Sequence, residues 1–133
     1  MKRMRIIAAM ALIMASALAQ QTAEAQFAEL KRTNLLQHDL SVPEREAIQV
    51  RVDFPPGAVA ARHSHPGEEL VYVIEGELAY ELKGNPQITV KAGEVLFIPN
   101  GIPHAVKNVG SGRAAELATY IVEKGKPLAV QGD

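Results

Sequence analysis

Residues 57–76 read GAVAARHSHPGEELVYVIEG, and the order of residue types in this stretch decides the fold. Val59 to His65 forms one extended run, and Glu69 to Ile74 forms a second, rich in β-branched and aromatic residues. Pro66-Gly67 separates the two, and Glu75-Gly76 turns the chain after the second. His63 and His65 are one residue apart. On a strand, residues i and i+2 project from the same face, so both imidazoles reach one point while Ser64 points away.

The same period continues outward in both directions. Upstream, Ile48, Val50, Val52 and Phe54 alternate with Gln49, Arg51 and Asp53, the pattern of a half-buried strand. Downstream, Leu78, Tyr80 and Leu82 alternate again, then Ile88 and Val90, then the run Val95 to Ile98. His104 to Val109 and Ala114 to Val122 close the series, each preceded by a Gly- or Pro-rich turn. No long segment of helical period competes after residue 46. About eight short strands with frequent turns predict an all-β fold, an antiparallel sandwich or barrel.

The four histidines are His38, His63, His65 and His104. Glu69 lies four residues past His65, where a hairpin-like reversal across Pro66-Gly67 would return its carboxylate to the imidazoles. His104 comes from a later strand able to lie alongside. Three imidazoles and one carboxylate suit a divalent first-row metal, and Fe, Mn, Ni, Cu, Co and Zn all remain open. His38 has no such companion and reads as a surface residue.

These residues resemble a known family. Gly57-x5-His63-x-His65-x3-Glu69-x6-Gly76 is similar to the first motif of the cupin superfamily. Gly93-x5-Pro99-x-Gly101-x2-His104-x3-Asn108 is similar to the second, with 16 residues between them. The resemblance implies one small antiparallel β-barrel of jelly-roll type. It also implies that His63, His65, Glu69 and His104 hold one divalent transition metal inside it. Motif spacing gives the ligand role to Glu69 and leaves its neighbour Glu68 to solvent or to an imidazole N–H. Asn108 reads as a structural cap. Val71, Val73, Val95, Phe97 and Val106 are expected to face inward and Tyr72 outward; apolar walls of that kind would favour a hydrophobic or aromatic ligand.

The ends read differently. Lys2, Arg3 and Arg5 precede Ile6 to Ala19, 14 residues with only Ser16 polar. Small residues follow at Ala17-Leu18-Ala19 and Ala23-Glu24-Ala25. This is the tripartite pattern of a secretory signal peptide, cleaved before Gln26 or, alternatively, before Gln20. The run is short for a spanning helix, which needs about 20 apolar residues. The expected organisation is a signal peptide over 1–25, an N-terminal arm over 26–45, the barrel over 46–123 and a flexible tail over 124–133. A periplasmic or secreted protein, free of the membrane after cleavage, follows.

Composition removes other classes. The 133 residues carry 14 Lys and Arg against 15 Asp and Glu, for a net charge of −1, and no Cys. Without the leader the count falls to eleven basic and fourteen acidic residues, net −3. No disulfide, thiolate metal site or Cys nucleophile is available. The near-neutral charge and six aromatic residues argue against nucleic acid as a partner.

The resemblance implies three functional classes. The first is a metal-dependent dioxygenase acting on a small phenolic substrate, with Glu69 both ligand and catalytic base. The second is a metal-dependent lyase or isomerase, for which no additional acid or base stands out. The third is a non-catalytic metal or small-ligand binding protein. Pairing of barrels into a homodimer, with residues 27–42 as an exchanged arm, is also implied.

Overall fold

The computed structural model describes residues 29–133. The leader expected over 1–25 and the first residues of the arm lie outside them. Ten strands follow one another: β1 (Lys31–Asp39), β2 (Arg45–Phe54), β3 (Val59–Ser64), β4 (Gly67–Glu75), β5 (Glu77–Leu82), β6 (Ile88–Lys91), β7 (Val95–Ile98), β8 (His104–Asn108), β9 (Ala114–Glu123) and β10 (Val130–Gln131). They form two five-stranded antiparallel sheets, one in the order β1-β2-β9-β4-β7 and the other β10-β3-β8-β5-β6. One core lies between them, built from Val50, Val52 and Phe54 on one side and Leu78, Tyr80 and Val106 on the other. This is the expected all-β jelly-roll, with two strands more than the sequence pattern suggested.

Alternation explains why these segments lie as they do. On β9, Ala114, Glu116, Ala118, Tyr120 and Val122 are buried while Leu117, Thr119 and Ile121 between them are half-buried. On β4, Gly67, Glu69, Val71 and Val73 point inward and Leu70, Tyr72 and Ile74 outward. Glycine is required at Gly76, where φ is +75° and an added Cβ would lie 2.5 Å from the Arg113 carbonyl. Gly67 is needed for a different reason. A Cβ there would lie 2.0 Å from the backbone oxygen of Ile121, so only glycine lets β4 pass β9 this closely.

Several expectations need correction. Within the arm expected over 26–45, residues 31–39 form strand β1, paired with β2 of the same chain from Lys31↔Asp53 to Asp39↔Glu46. The tail is tied down as well: β10 pairs with β3 at Val130↔Ser64 and Gln131↔His63, and Leu128 packs against the core. Pro66-Gly67 makes no hairpin. The chain crosses there from one sheet to the other, and β4 already begins at Gly67. Val71, Val73 and Val106 are inward as expected, and Tyr72 is outward. Val95 and Phe97 are not inward; they are 72% and 57% exposed, and Ile98 takes the buried position instead. The pairing Leu70↔Phe97 and Glu69↔Ile98 sets that phase.

Candidate metal centre

The crossing between sheets assembles the site. His63 lies near the end of β3, His65 one residue beyond it, and His104 opens β8 directly opposite His63. Glu69 comes from β4, in the facing sheet. All four side chains are buried. The imidazole centroids stand 4.4 to 5.2 Å apart, and one ring nitrogen from each histidine lies within 4.8 Å of the other two. The sequence reading named these four residues, and the structure brings them together.

Each ring is fixed by a backbone carbonyl. Nδ1 of His63 donates to Ala61 at 2.6 Å, Nδ1 of His65 to Leu128 at 2.6 Å, and Nδ1 of His104 to Ile102 at 2.9 Å. A carbonyl oxygen only accepts, so Nδ1 carries the hydrogen in all three rings. Nε2 of each neutral ring then presents a lone pair to the interior, the tautomer a metal ligand needs. Oε2 of Glu69 lies 3.1 Å from Nε2 of His65 and 3.2 Å from Nε2 of His104. Yet Nε2 of His65 and Oε2 of Glu69 have no hydrogen-bond partner. Leaving such a buried group unmatched costs about 1–3 kcal/mol. Convergent, unpartnered nitrogen and oxygen donors are what a divalent first-row cation would satisfy.

The charges around these donors are unusual. Burial alone would raise the Glu69 carboxyl, but His104 and His65 beside it hold it down to about 2. Burial pulls His63 below the ordinary imidazole value. Burial opposes a charge on His104 too, but the Glu69 carboxylate and the Ile102 carbonyl raise it above that value. The His104 imidazole and the Glu69 carboxylate, 3.2 Å apart, therefore each favour the other's charged form.

The donors line a cavity of about 280 Å3. One part of its wall is apolar, with Val50, Val52, Phe54 and Val106. The rest is not, which corrects the expected hydrophobic pocket: Arg32 and Asn34 from β1, Gln131 from β10, and Glu116 and Tyr120 from β9 also face it. The Tyr120 ring packs 4.6 Å from that of His65. Glu116 is buried, and its Oε2 accepts the Tyr80 hydroxyl. Burial and the charge of Glu69 push the Glu116 carboxyl up to about 8. The sequence reading missed Glu116, Tyr120 and Arg32. The signal for Glu116 was present, since it is the one charged residue at an inward position of the Ala114–Val122 run.

The remaining candidates fall away from the site. Glu68 is half-buried on the opposite face of β4. His38 is exposed at the end of β1. Asn108 caps the barrel: its Nδ2 donates to Phe54, Pro55 and Gly112, and its Oδ1 accepts from Gly110 N–H. Among the described residues, no helix is long and apolar enough to cross a membrane.

Residues 50–129 match the family pattern described as Cupin domain. The chain belongs to the cupin family. This cupin is 30% identical over 95 residues to the oxalate-binding protein of Thermotoga maritima, a match covering 71% of this chain and 77% of that one. It is 39% identical over 75 residues to germin-like protein subfamily 2 member 2 of Arabidopsis thaliana, covering 53% of this chain and 34% of the relative. It thus spans about a third of that germin-like protein's length. Among solved structures, recombinant oxalate oxidase in complex with glycolate superposes with a TM-score of 0.62 at 28% identity, covering 77% of this cupin and 54% of that chain.

Proposed function

We propose that this cupin holds one divalent transition metal through His63, His65, Glu69 and His104, and that it takes a small organic acid beside that metal. The observation that carries the reading is the set of Nε2 lone pairs turned inward by three backbone carbonyls, facing an unpartnered Glu69 Oε2. Four protein ligands on a six-coordinate ion leave two positions open, and a bound ion there would supply Lewis acidity or, for a redox metal, electron transfer. The cavity favours a carboxylate over the phenolic ligand that apolar walls would have implied. It is small, and Arg32 and Asn34 offer it a guanidinium and an amide. The names of the oxalate-binding relative and of the oxalate oxidase structure support the same class. Oxidation by dioxygen is the reaction class we assign first.

Elemental analysis and oxygen uptake test this reading together. Protein loaded with Mn, Fe, Ni or Cu should consume oxygen with oxalate or glycolate in preference to catechol. Substituting His63→Ala together with His104→Ala should remove the metal; a double variant that keeps stoichiometric metal refutes the site. A second reading, lyase or isomerase chemistry without oxygen, is favoured by one observation: the cavity holds an additional titratable carboxyl, Glu116. Product formed under anaerobic conditions would select it.

Export and assembly belong to the same proposal. The tripartite leader supports secretion into the periplasm or beyond, and N-terminal sequencing checks it; a mature chain starting at Met1 is the contrary result. A homodimer is supported by the outer face of the first sheet, where Leu70, Tyr72, Val95 and Phe97 are exposed side by side. Monomers rarely leave such a contiguous apolar face to water.

A further inference from the structure

We propose that Glu116, braced by the Tyr80 hydroxyl, is the group of this cavity that holds a proton and delivers it to the bound ligand. The inference rests on the metal-site reading above, and it adds a residue that the two sequence motifs do not contain.

The placement comes first. Glu116 occupies an inward position of β9, four residues before Tyr120, and lines the same cavity as His63, His65, Glu69 and His104. It is 4% exposed, and among the described residues it makes no ion pair. A buried carboxylate without a cation is strongly disfavoured, so such a group stays protonated instead. A merely structural role would be filled at lower cost by a neutral side chain.

Hydrogen bonding then decides where the proton points. The Tyr80 hydroxyl donates to Oε2 of Glu116, and the carboxyl is the partner it has. Burial foremost, with the Glu69 charge, lifts the Tyr80 hydroxyl far above its usual range, so it remains a donor. With Oε2 engaged as an acceptor, the carboxyl's own hydrogen belongs to the other oxygen, which is left for the cavity. The charged and titratable groups around it are Arg32 on β1, Glu69 on β4, Tyr80 on β5, His104 on β8 and Tyr120 on β9. Of these, Glu69 raises the carboxyl, whereas the Tyr80 hydroxyl, His104 and Arg32 lower it only in part.

The ligand this suits has an oxygen acceptor turned away from the metal, a carboxylate or an enolate. In the acid step the O–H bond of Glu116 breaks and a new O–H or C–H bond forms on the ligand. The electron pair stays on Glu116, and the negative charge moves there from the ligand, where the Tyr80 hydroxyl stabilises it. The reverse step makes the carboxylate a base. No co-reactant is needed. General acid–base groups of this kind contribute roughly 10²–10⁴ in rate.

Oxalate binding to the manganese-loaded chain tests the proposal, read by calorimetry as a function of pH. Wild type should lose affinity by about tenfold per pH unit once Glu116 ionises, because one proton is linked to binding. Glu116→Gln should keep its manganese and show no such slope. Tyr80→Phe removes the donor that stabilises the carboxylate and should move the slope to higher pH. An infrared band from a protonated carboxylic acid should be present in wild type at neutral pH and absent from Glu116→Gln. Equal slopes in wild type and Glu116→Gln overturn the proposal while leaving the metal site intact. If Glu116→Gln fails to fold, an unshifted slope in Tyr80→Phe overturns it. If wild type loads manganese but does not bind oxalate, the carboxylate reading fails, and absence of the infrared band overturns the proton role. A wild-type chain that takes up no metal overturns both readings.

Discussion

Three carbonyl oxygens, those of Ala61, Leu128 and Ile102, set the chemistry of the histidines before any ligand arrives. They fix the tautomers, and Glu69 then sets the proton. Because Glu69 raises His104 above the ordinary imidazole value of about 6.5, proton and metal compete for Nε2 of His104. Metal affinity should therefore increase with pH up to the raised His104 value and flatten beyond it. A chelator-competition titration reads this directly, and a release of about one proton per metal should accompany loading. Affinity already flat below the ordinary imidazole range would contradict it.

Glu116 makes an opposite kind of contribution, and the sign follows from linkage. An unfolded Glu releases its proton near pH 4.3, about the ordinary value, whereas the folded chain keeps it to about 8. Between those limits the unfolded state binds fewer protons, so stability falls as pH rises, and it stops falling above about 8. In metal-free protein, Glu116→Gln should be more stable than wild type. The gap in urea midpoint should widen across that window and then level off. A gap independent of pH would show that Glu116 does not hold its proton.

At the scale of elements, two strands carry more than their sequences suggest. β10 is two residues long, yet the segment leading into it supplies the Leu128 carbonyl that orients His65. Ending the chain at Lys126 should leave the barrel folded but weaken metal binding about 10–100-fold, the usual cost of losing a bond that orients a ligand. Unchanged affinity in the truncated chain would sever that link. Gly67 is the converse case, a residue whose absent side chain matters. Gly67→Ala places a methyl against the Ile121 carbonyl and should destabilise by about 3 kcal/mol in chemical unfolding.

The core strands and the four donors were legible because both depend on local spacing. An i, i+2 pair of histidines shares a face whatever lies around it. β1 was not legible because it is an edge strand: KRTNLLQHD shows no alternation, and backbone pairing carries its register against β2, with one side-chain bond from Gln37 to Glu46. β7 was misread in phase because Val95, Leu96, Phe97 and Ile98 are all apolar, so the pattern holds no polar residue to mark the outer face. The carbonyl of Leu128 was beyond reach for another reason, since its partner His65 is 63 residues away. Glu116 was within reach, and only its phase on β9 needed reading.

For the whole molecule, the phase of β7 has a visible result. Val95 and Phe97 join Leu70 and Tyr72 on the outer face of the first sheet. Substituting Val95→Lys together with Phe97→Lys should convert the proposed homodimer to monomer in sedimentation while leaving metal content unchanged. A wild-type protein already monomeric at high concentration removes the proposal.

The position of the donors on opposite sheets has a mechanical consequence. Glu69 belongs to one sheet, and His63 and His104 to the other. A cation held by all of them would act as a rivet through the barrel wall, so the sheets could not part without first losing it. Persistence of the loaded fold would then be governed by the escape rate of the ion rather than by the core alone.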